Sequence, residues 1–254
     1  MMGPMTGNQD RRGTALITGG SRGIGAAAAI ALAEDGWDVG LSYRTRVDEA
    51  AAVVTACEKV GRRAVAVQAE VSEPTDIERL FDTVTSKLGQ LGAVINNAGV
   101  TSPTGRVAEY DPARLERVFR INATGAFLVA GAAVRRLSTA RGGQGGVIVN
   151  ISSRAAVLGA AGEYVDYAAS KAAVDALTVG LANEVAGEGI RVLGVRPGLI
   201  ETEIHEPGRL DRIGTSPPLG RPGRAEEVAA VIAFLASDRS SYMTGTSVDV
   251  AGGR

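Results

Sequence analysis

The chain has 254 residues, 45% of them hydrophobic and 22% charged, with 27 basic against 28 acidic side chains and a formal net charge of −1. A chain of this length buries roughly 70–75% of its unfolded surface without a metal or disulfide staple and suits a single hydrophobic core, while the balanced charge argues against a nucleic-acid partner, which needs a basic excess or stripe. One cysteine, Cys57, and one histidine, His205, exclude an internal disulfide, multi-cysteine metal sites and histidine-cluster metal sites.

Residues 1–12 hold no apolar run and end in charge, so they read as a disordered N-terminal tail and not as a secretory signal. Residues 13–254 read as one domain. No stretch approaches the ~20 apolar residues of a membrane span, and the lone cysteine suits a reducing, cytoplasmic setting. From Thr14 onward, short Val/Ile-rich runs alternate with longer Ala-rich segments. The expected strands are Ala15–Thr18, Asp38–Ser42, Ala64–Gln68, Ala93–Asn96, Val147–Ile151, Arg191–Val195 and Ser247–Val250. They are short, Val/Ile-rich and mostly not alternating, as expected of strands buried on both faces of a parallel sheet. The expected helices are Ile24–Asp35, Asp48–Val60, Pro74–Leu88, Pro112–Leu137, Tyr164–Ala186 and Ala225–Ala236. In the third, Ile77, Leu80, Phe81, Val84 and Leu88 recur at helical spacing, and Pro74 and Pro112 mark first turns. This alternation predicts an α/β fold: a Rossmann-type, doubly wound, seven-stranded parallel sheet. The glycines at 142–146 precede a strand instead of following one, so they read as a surface turn. Residues 199–223 form the one long irregular stretch, the expected substrate loop.

The first strand runs into Thr18-Gly19-Gly20-Ser21-Arg22-Gly23-Ile24-Gly25 and then a helix. Glycines permit a sharp turn and close approach of a pyrophosphate, and the helix start presents free N–H groups to it. In such folds an acidic residue at the end of the second strand bonds the ribose 2′-hydroxyl, whereas a nearby arginine accepts a 2′-phosphate. Here Tyr43 stands at that acidic position and Arg44 follows it, with Arg22 in the turn and Arg46 a further, more solvent-facing candidate. The expected cofactor is therefore NADP(H) in preference to NAD(H). Tyr167 and Lys171 lie four residues apart in a helical segment and share a face. An adjacent ammonium is expected to lower a tyrosine hydroxyl from ~10 toward use as an acid or base. Ser152 and Ser153 follow the fifth strand, on the side of the sheet where ligands sit. Ser153 is favoured as the catalytic serine, with Ser152 the alternative.

In their order along the chain, Thr18-Gly-X-X-X-Gly23-X-Gly25, Asn96-Asn97-Ala98-Gly99, Asn122, Ser152-Ser153, Tyr167-X-X-X-Lys171 and Pro197-Gly198 resemble the short-chain dehydrogenases/reductases, over nearly the whole chain from Thr14. The likeness is nearest to bacterial oxidoreductases that include glucose dehydrogenases and 3-oxoacyl-carrier-protein reductases. The resemblance implies that Tyr167 is the general acid/base, that Lys171 also bonds the nicotinamide ribose, and that Ser153 polarises the substrate carbonyl. It implies that Asn122 holds a water in a proton relay to Lys171. Asn97, Ala98 and Gly99 would line the cofactor, Glu70 and Val71 would flank the adenine, and Pro197, Gly198, Ile200 and Thr202 would meet the nicotinamide end. It also implies a homotetramer. The sequence departs from the family in three places: Ser153 to Tyr167 is one residue longer than usual, Gly92-Ala93 replaces an aspartate, and Glu70 stands for an aspartate.

Tyr164 lacks a lysine four residues on and is not the catalytic tyrosine. His205 falls in the substrate loop and Cys57 on a helix, where each reads first as a packing side chain. A non-catalytic nicotinamide-dinucleotide-binding regulator on the same fold is the alternative, disfavoured by the joint presence of Asn122, Ser153, Tyr167 and Lys171. No metal, nucleic acid or membrane is expected to be bound.

Overall fold

The computed structural model describes residues 12–254; the expected tail, 1–12, lies outside these residues apart from Arg12. Seven strands form one sheet: β1 (Thr14–Ile17), β2 (Asp38–Tyr43), β3 (Ala64–Gln68), β4 (Leu91–Asn96), β5 (Gly146–Ile151), β6 (Ile190–Pro197) and β7 (Ser247–Val250). Their order is β3-β2-β1-β4-β5-β6-β7, every pair parallel. Along each strand the apolar side chains alternate between two cores. Ala15, Ile17, Val39 and Leu41 point to one face and Leu16 and Val94 to the other. The first core is closed by α1 (Gly23–Glu34), α2 (Val47–Lys59) and α9 (Ala225–Ala236), through Leu32, Val53 and Ile232. The second is closed by α3 (Pro74–Leu88), α5 (Gly125–Leu137) and α7 (Val165–Val185), through Phe81, Val129 and Val185. Apolar side chains on both faces are what a sheet sandwiched between helix layers requires.

The expected strands and most expected helices are present, with ends displaced by at most two residues. The expected single helix over Pro112–Leu137 is not. It divides into α4 (Pro112–Phe119), a π turn (Arg120–Thr124) and α5. The wide turn carries Asn122 fully into the interior, where its side chain accepts from the Val100 N–H (2.8 Å) and donates to the Val100 carbonyl (2.8 Å) and Ser170 hydroxyl (3.1 Å). Such a bulge lets one residue leave the helical ladder and take distant partners. A short helix, α6 (Ala155–Leu158), follows β5, and α8 (Arg209–Ile213) interrupts the expected irregular stretch 199–223. The glycines at 142–146 form a turn leading into β5. Among the described residues no helix is long and apolar enough to cross a membrane, and no three His, Cys, Asp or Glu side chains cluster as metal ligands. Cys57 is buried in the first core, which pushes its thiol up to about 11 and leaves it unreactive.

The rim of the sheet away from the strand C-termini is tied by Asp38, a buried carboxylate at the start of β2. Its oxygens accept from Arg62 Nη2 (3.1 Å), Arg63 N (3.0 Å), Arg63 Nε (2.9 Å) and Arg63 Nη2 (2.6 Å). Burial alone would raise this carboxyl; the bonds and charges of Arg63 and Arg62 outweigh it and hold it below its ordinary value. The stabilisation is thus complete above the unfolded carboxylate value of ~3.9 and is lost as pH falls through the lower folded value. Asp38→Asn should lower stability by about 2 kcal/mol at pH 7. Denaturant titrations from pH 7 to pH 3 should show the gap between variant and wild type closing only below about pH 4. A gap independent of pH would show that the carboxylate charge does not hold this rim.

Candidate active site

Where the strand order reverses, between β1 and β4, the strand ends part and open a crevice. The turn after β1 forms its floor. Gly19 sits at φ +64°, and a Cβ on Gly25 would lie 2.3 Å from the Gly19 carbonyl oxygen, so both positions require glycine. Arg22, at the start of α1, makes no side-chain cap, which leaves the first N–H groups of the helix facing the crevice. Asn97 locks the turn. Its Nδ2 donates to the carbonyls of Thr18 (2.9 Å) and Gly19 (3.1 Å), while the Thr18 hydroxyl accepts from the N–H groups of Asn97 (2.9 Å) and Ala98 (3.0 Å).

This crevice holds about 240 Å³. It gathers Gly19, Ser21, Arg22, Gly23, Ile24 and Gly25 from the turn; Tyr43 and Arg44 from the end of β2; Glu70 and Val71 from the end of β3; and Asn97, Ala98 and Gly99 from the end of β4. A cradle of close-packed glycine backbone, open helix N–H groups and basic side chains fits a dinucleotide. The three arginines at its rim are each met by a carboxylate: Arg22 by Glu203 (2.8 Å), Arg44 by Glu70 (3.7 Å) and Arg46 by Glu49 (2.7 Å).

A second cleft of about 150 Å³ adjoins the first, and the two share Ile24, Asn97, Gly99, Thr202 and Ile204 as walls. Ser153, Tyr167 and Lys171 border it, as do Pro197 at the end of β6 and Gly198 and Ile200 just beyond it. Lys171 is buried, and its Nζ donates to the Ile151 carbonyl (2.8 Å) and lies 5.9 Å from the centre of the Tyr167 ring. Burial pushes the ammonium down to about 8. The expected lowering of Tyr167 by Lys171 is corrected here. Burial raises the Tyr167 hydroxyl, and the groups opposing it are the neighbouring Ser153 hydroxyl and the positive charge of Arg209. The two serines separate: the Ser152 hydroxyl donates to the Lys171 carbonyl (3.0 Å), whereas that of Ser153 stands beside Tyr167. Asn122 reaches neither cleft. It lies behind Gly99, where a side chain would meet both Asn122 Oδ1 (3.3 Å) and Lys171 Nζ (3.2 Å).

Sequence reasoning missed a buried charged group on the substrate side. Arg209, from α8, donates to Glu163 (2.5 Å) and to His205 Nδ1 (3.2 Å), with its guanidinium 5.0 Å from the centre of the Tyr164 ring. Because an arginine can only donate, His205 Nδ1 is the acceptor and Nε2–H donates to the Ile200 carbonyl (2.8 Å). Burial and the Arg209 charge hold that imidazole neutral by pushing it down. Tyr164 stands edge-on to Tyr167, with ring centres 5.5 Å apart. Asp166, beside Tyr167 in sequence, is buried and takes a bidentate pair from Arg114 Nε (2.8 Å) and Nη2 (3.1 Å). A single sequence gives no local signal for either pairing, since the partners lie 46 and 52 positions apart.

Comparison with known proteins agrees with this geometry. The family model described as enoyl-(acyl carrier protein) reductase matches residues 19–254. The uncharacterised oxidoreductase YgfF of Escherichia coli K12 is 46% identical over 244 residues, spanning 94% of this chain and 99% of that protein. A short-chain dehydrogenase from Burkholderia cenocepacia in complex with NADP superposes with a TM-score of 0.89 at 34% identity, over 97% of this chain and 99% of that one. A 3-ketoacyl-(acyl-carrier-protein) reductase from Brucella melitensis complexed with NADH superposes with a TM-score of 0.89 at 30% identity, over 96% and 98%. None of these likenesses supports the non-catalytic alternative.

Proposed function

The chain belongs to the short-chain dehydrogenase/reductase family and is an oxidoreductase, and from that premise we propose that it transfers hydride between NADP(H) and the carbonyl or secondary alcohol of a small molecule. The observation that carries this reading is the meeting of Ser153, Tyr167 and Lys171 in one cleft that opens directly onto the glycine-floored crevice. The nicotinamide, when bound, supplies or accepts the hydride.

Tyr167 gives its hydroxyl proton to the carbonyl oxygen in reduction and takes it back from the alcohol in oxidation. Burial favours the protonated hydroxyl, the form a donor needs. Ser153 holds the same oxygen in line. Lys171, the base of the cleft, bonds the ribose of the bound dinucleotide. Asn122, braced by the Val100 backbone, holds the water of a proton relay to Lys171. The phosphates rest on the turn from Gly19 to Gly25, Glu70 and Val71 flank the adenine, and the Ile200 N–H and Thr202 hydroxyl meet the carboxamide. Arg22 and Arg44 take the 2′-phosphate, with Tyr43 leaving out the acidic side chain that would repel it. We further infer a homotetramer. Leu115 and Phe119 on α4, Phe127 on α5 and Val179 on α7 are large apolar side chains left exposed on neighbouring helices.

Three measurements test this reading. Tyr167→Phe should reduce turnover by about 10²–10⁴ with dinucleotide affinity retained; wild-type-like turnover would sink the assignment. The ratio of catalytic efficiencies for NADPH and NADH should exceed one and fall by about tenfold in Arg44→Ala. A wild type that prefers NADH, or an unmoved ratio, removes the phosphate from this arginine. Light scattering at micromolar concentration should give four times the chain mass, and a monomeric mass would refute the tetramer.

A further inference from the structure

The segment Thr202–Ile204 is the partition between the two clefts. Thr202 and Ile204 border both, and the Ile204 carbonyl accepts from the Thr101 hydroxyl (3.1 Å). The side chain of Glu203 emerges from this partition on the crevice side only. One of its oxygens, Oε2, meets Arg22 Nη1 at 2.8 Å and Arg46 Nη2 at 3.8 Å. The arginines at that rim and the carboxylates beside them therefore cancel. Arg22, Arg44 and Arg46 stand against Glu203, Glu70 and Glu49. Glu49 belongs to α2 and Glu70 to the end of β3. Of these three carboxylates, Glu203 alone is carried by the substrate loop, and it alone is paired with two of the arginines.

A phosphate that comes to Arg22 meets a guanidinium one of whose donors, Nη1, is already directed at a carboxylate. Two anions beside one guanidinium repel each other, so the carboxylate weakens its hold on the phosphate. A dinucleotide without the 2′-phosphate makes no such demand on Arg22. We propose that Glu203 competes with the 2′-phosphate for Arg22, and so moderates the preference of the enzyme for NADP(H) over NAD(H) from within the substrate loop. This inference rests on the assignment of the 2′-phosphate to Arg22 and Arg44 made above. It gives the substrate loop a part in cofactor choice that is separate from any contact with substrate.

The test uses the full chain and two probes that carry only the adenosine end of the cofactor, adenosine 2′,5′-bisphosphate and AMP, titrated by calorimetry. An exposed ion pair is worth about a two- to fivefold change in affinity. Glu203→Gln should tighten adenosine 2′,5′-bisphosphate by that factor and leave AMP unchanged. The gain should vanish in an Arg22→Ala background and shrink in high salt, where exposed charges are screened. Unchanged or weaker binding of the bisphosphate by Glu203→Gln, or an equal gain for AMP, overturns the inference. Weaker binding would mean that Glu203 holds Arg22 in place for the phosphate and does not compete with it. The two failures are distinguishable. A wild type that prefers the bisphosphate, with no gain in Glu203→Gln, overturns the competition and leaves the NADP(H) assignment standing. A wild type indifferent to the 2′-phosphate, with no gain in Glu203→Gln, overturns that assignment and the competition with it.

Discussion

Four hydrogen bonds, three to Thr18 and one to the Gly19 carbonyl, tie Asn97 and Ala98 to the end of β1 and so hold together the ends of β1 and β4. Everything the site does depends on that junction. In a doubly wound sheet it is the place where the chain turns to opposite faces, so the strand ends part and leave a crevice. The tie fixes the Gly19 carbonyl, against which Gly25 packs with no room for a side chain, and so sets the first turn of α1. On its other side the chain passes through Gly99, which packs against Lys171 Nζ and Asn122 Oδ1. One pair of polar residues thereby registers the glycine-floored crevice against the cleft that holds Ser153, Tyr167 and Lys171.

The second organising force is the cost of burying charge. Lys171 and Asp166 lie in the same helix within five residues of each other, and neither can face water. Asp166 is satisfied by a bidentate arginine. Lys171 is satisfied by a single backbone carbonyl, and burial moves it toward neutrality. Tyr167 sits between these two fates, its hydroxyl raised by burial and relieved by Ser153 and by the distant charge of Arg209. Burial thus pushes Lys171 toward its neutral form and Tyr167 toward its protonated one, and Ser153 and Arg209 oppose the push on Tyr167.

The strands were legible because a parallel strand covered on both faces must be apolar at every position, and Leu16–Ile17, Val94–Ile95 and Val147–Val149 are. The glycine turn was legible because its geometry is spelled within eight residues. The pair Tyr167 and Lys171 was legible because helical spacing alone puts them on one face. The π turn at Arg120–Thr124 was not, since it exists only because Asn122 finds Val100 and Ser170, 22 and 48 positions away. Strand position favoured Ser153 over Ser152 in the sequence, but not that the Lys171 carbonyl claims the Ser152 hydroxyl.

The sequence by itself determined what short-range physics decides: the alternation of elements, the sheet's apolar faces, the anion-binding turn, and the helical register of the tyrosine and lysine. Only the tertiary structure decided the charge environment of those groups. It brought Arg209 to Glu163 and His205 beside the reacting cleft, Arg114 to Asp166, and Glu203 to Arg22 across 181 positions of chain. Backbone preference and side-chain spacing act over a few residues, and so can be read in order along the chain. Desolvation and Coulomb forces act through space, and their partners are fixed only once the sheet has closed.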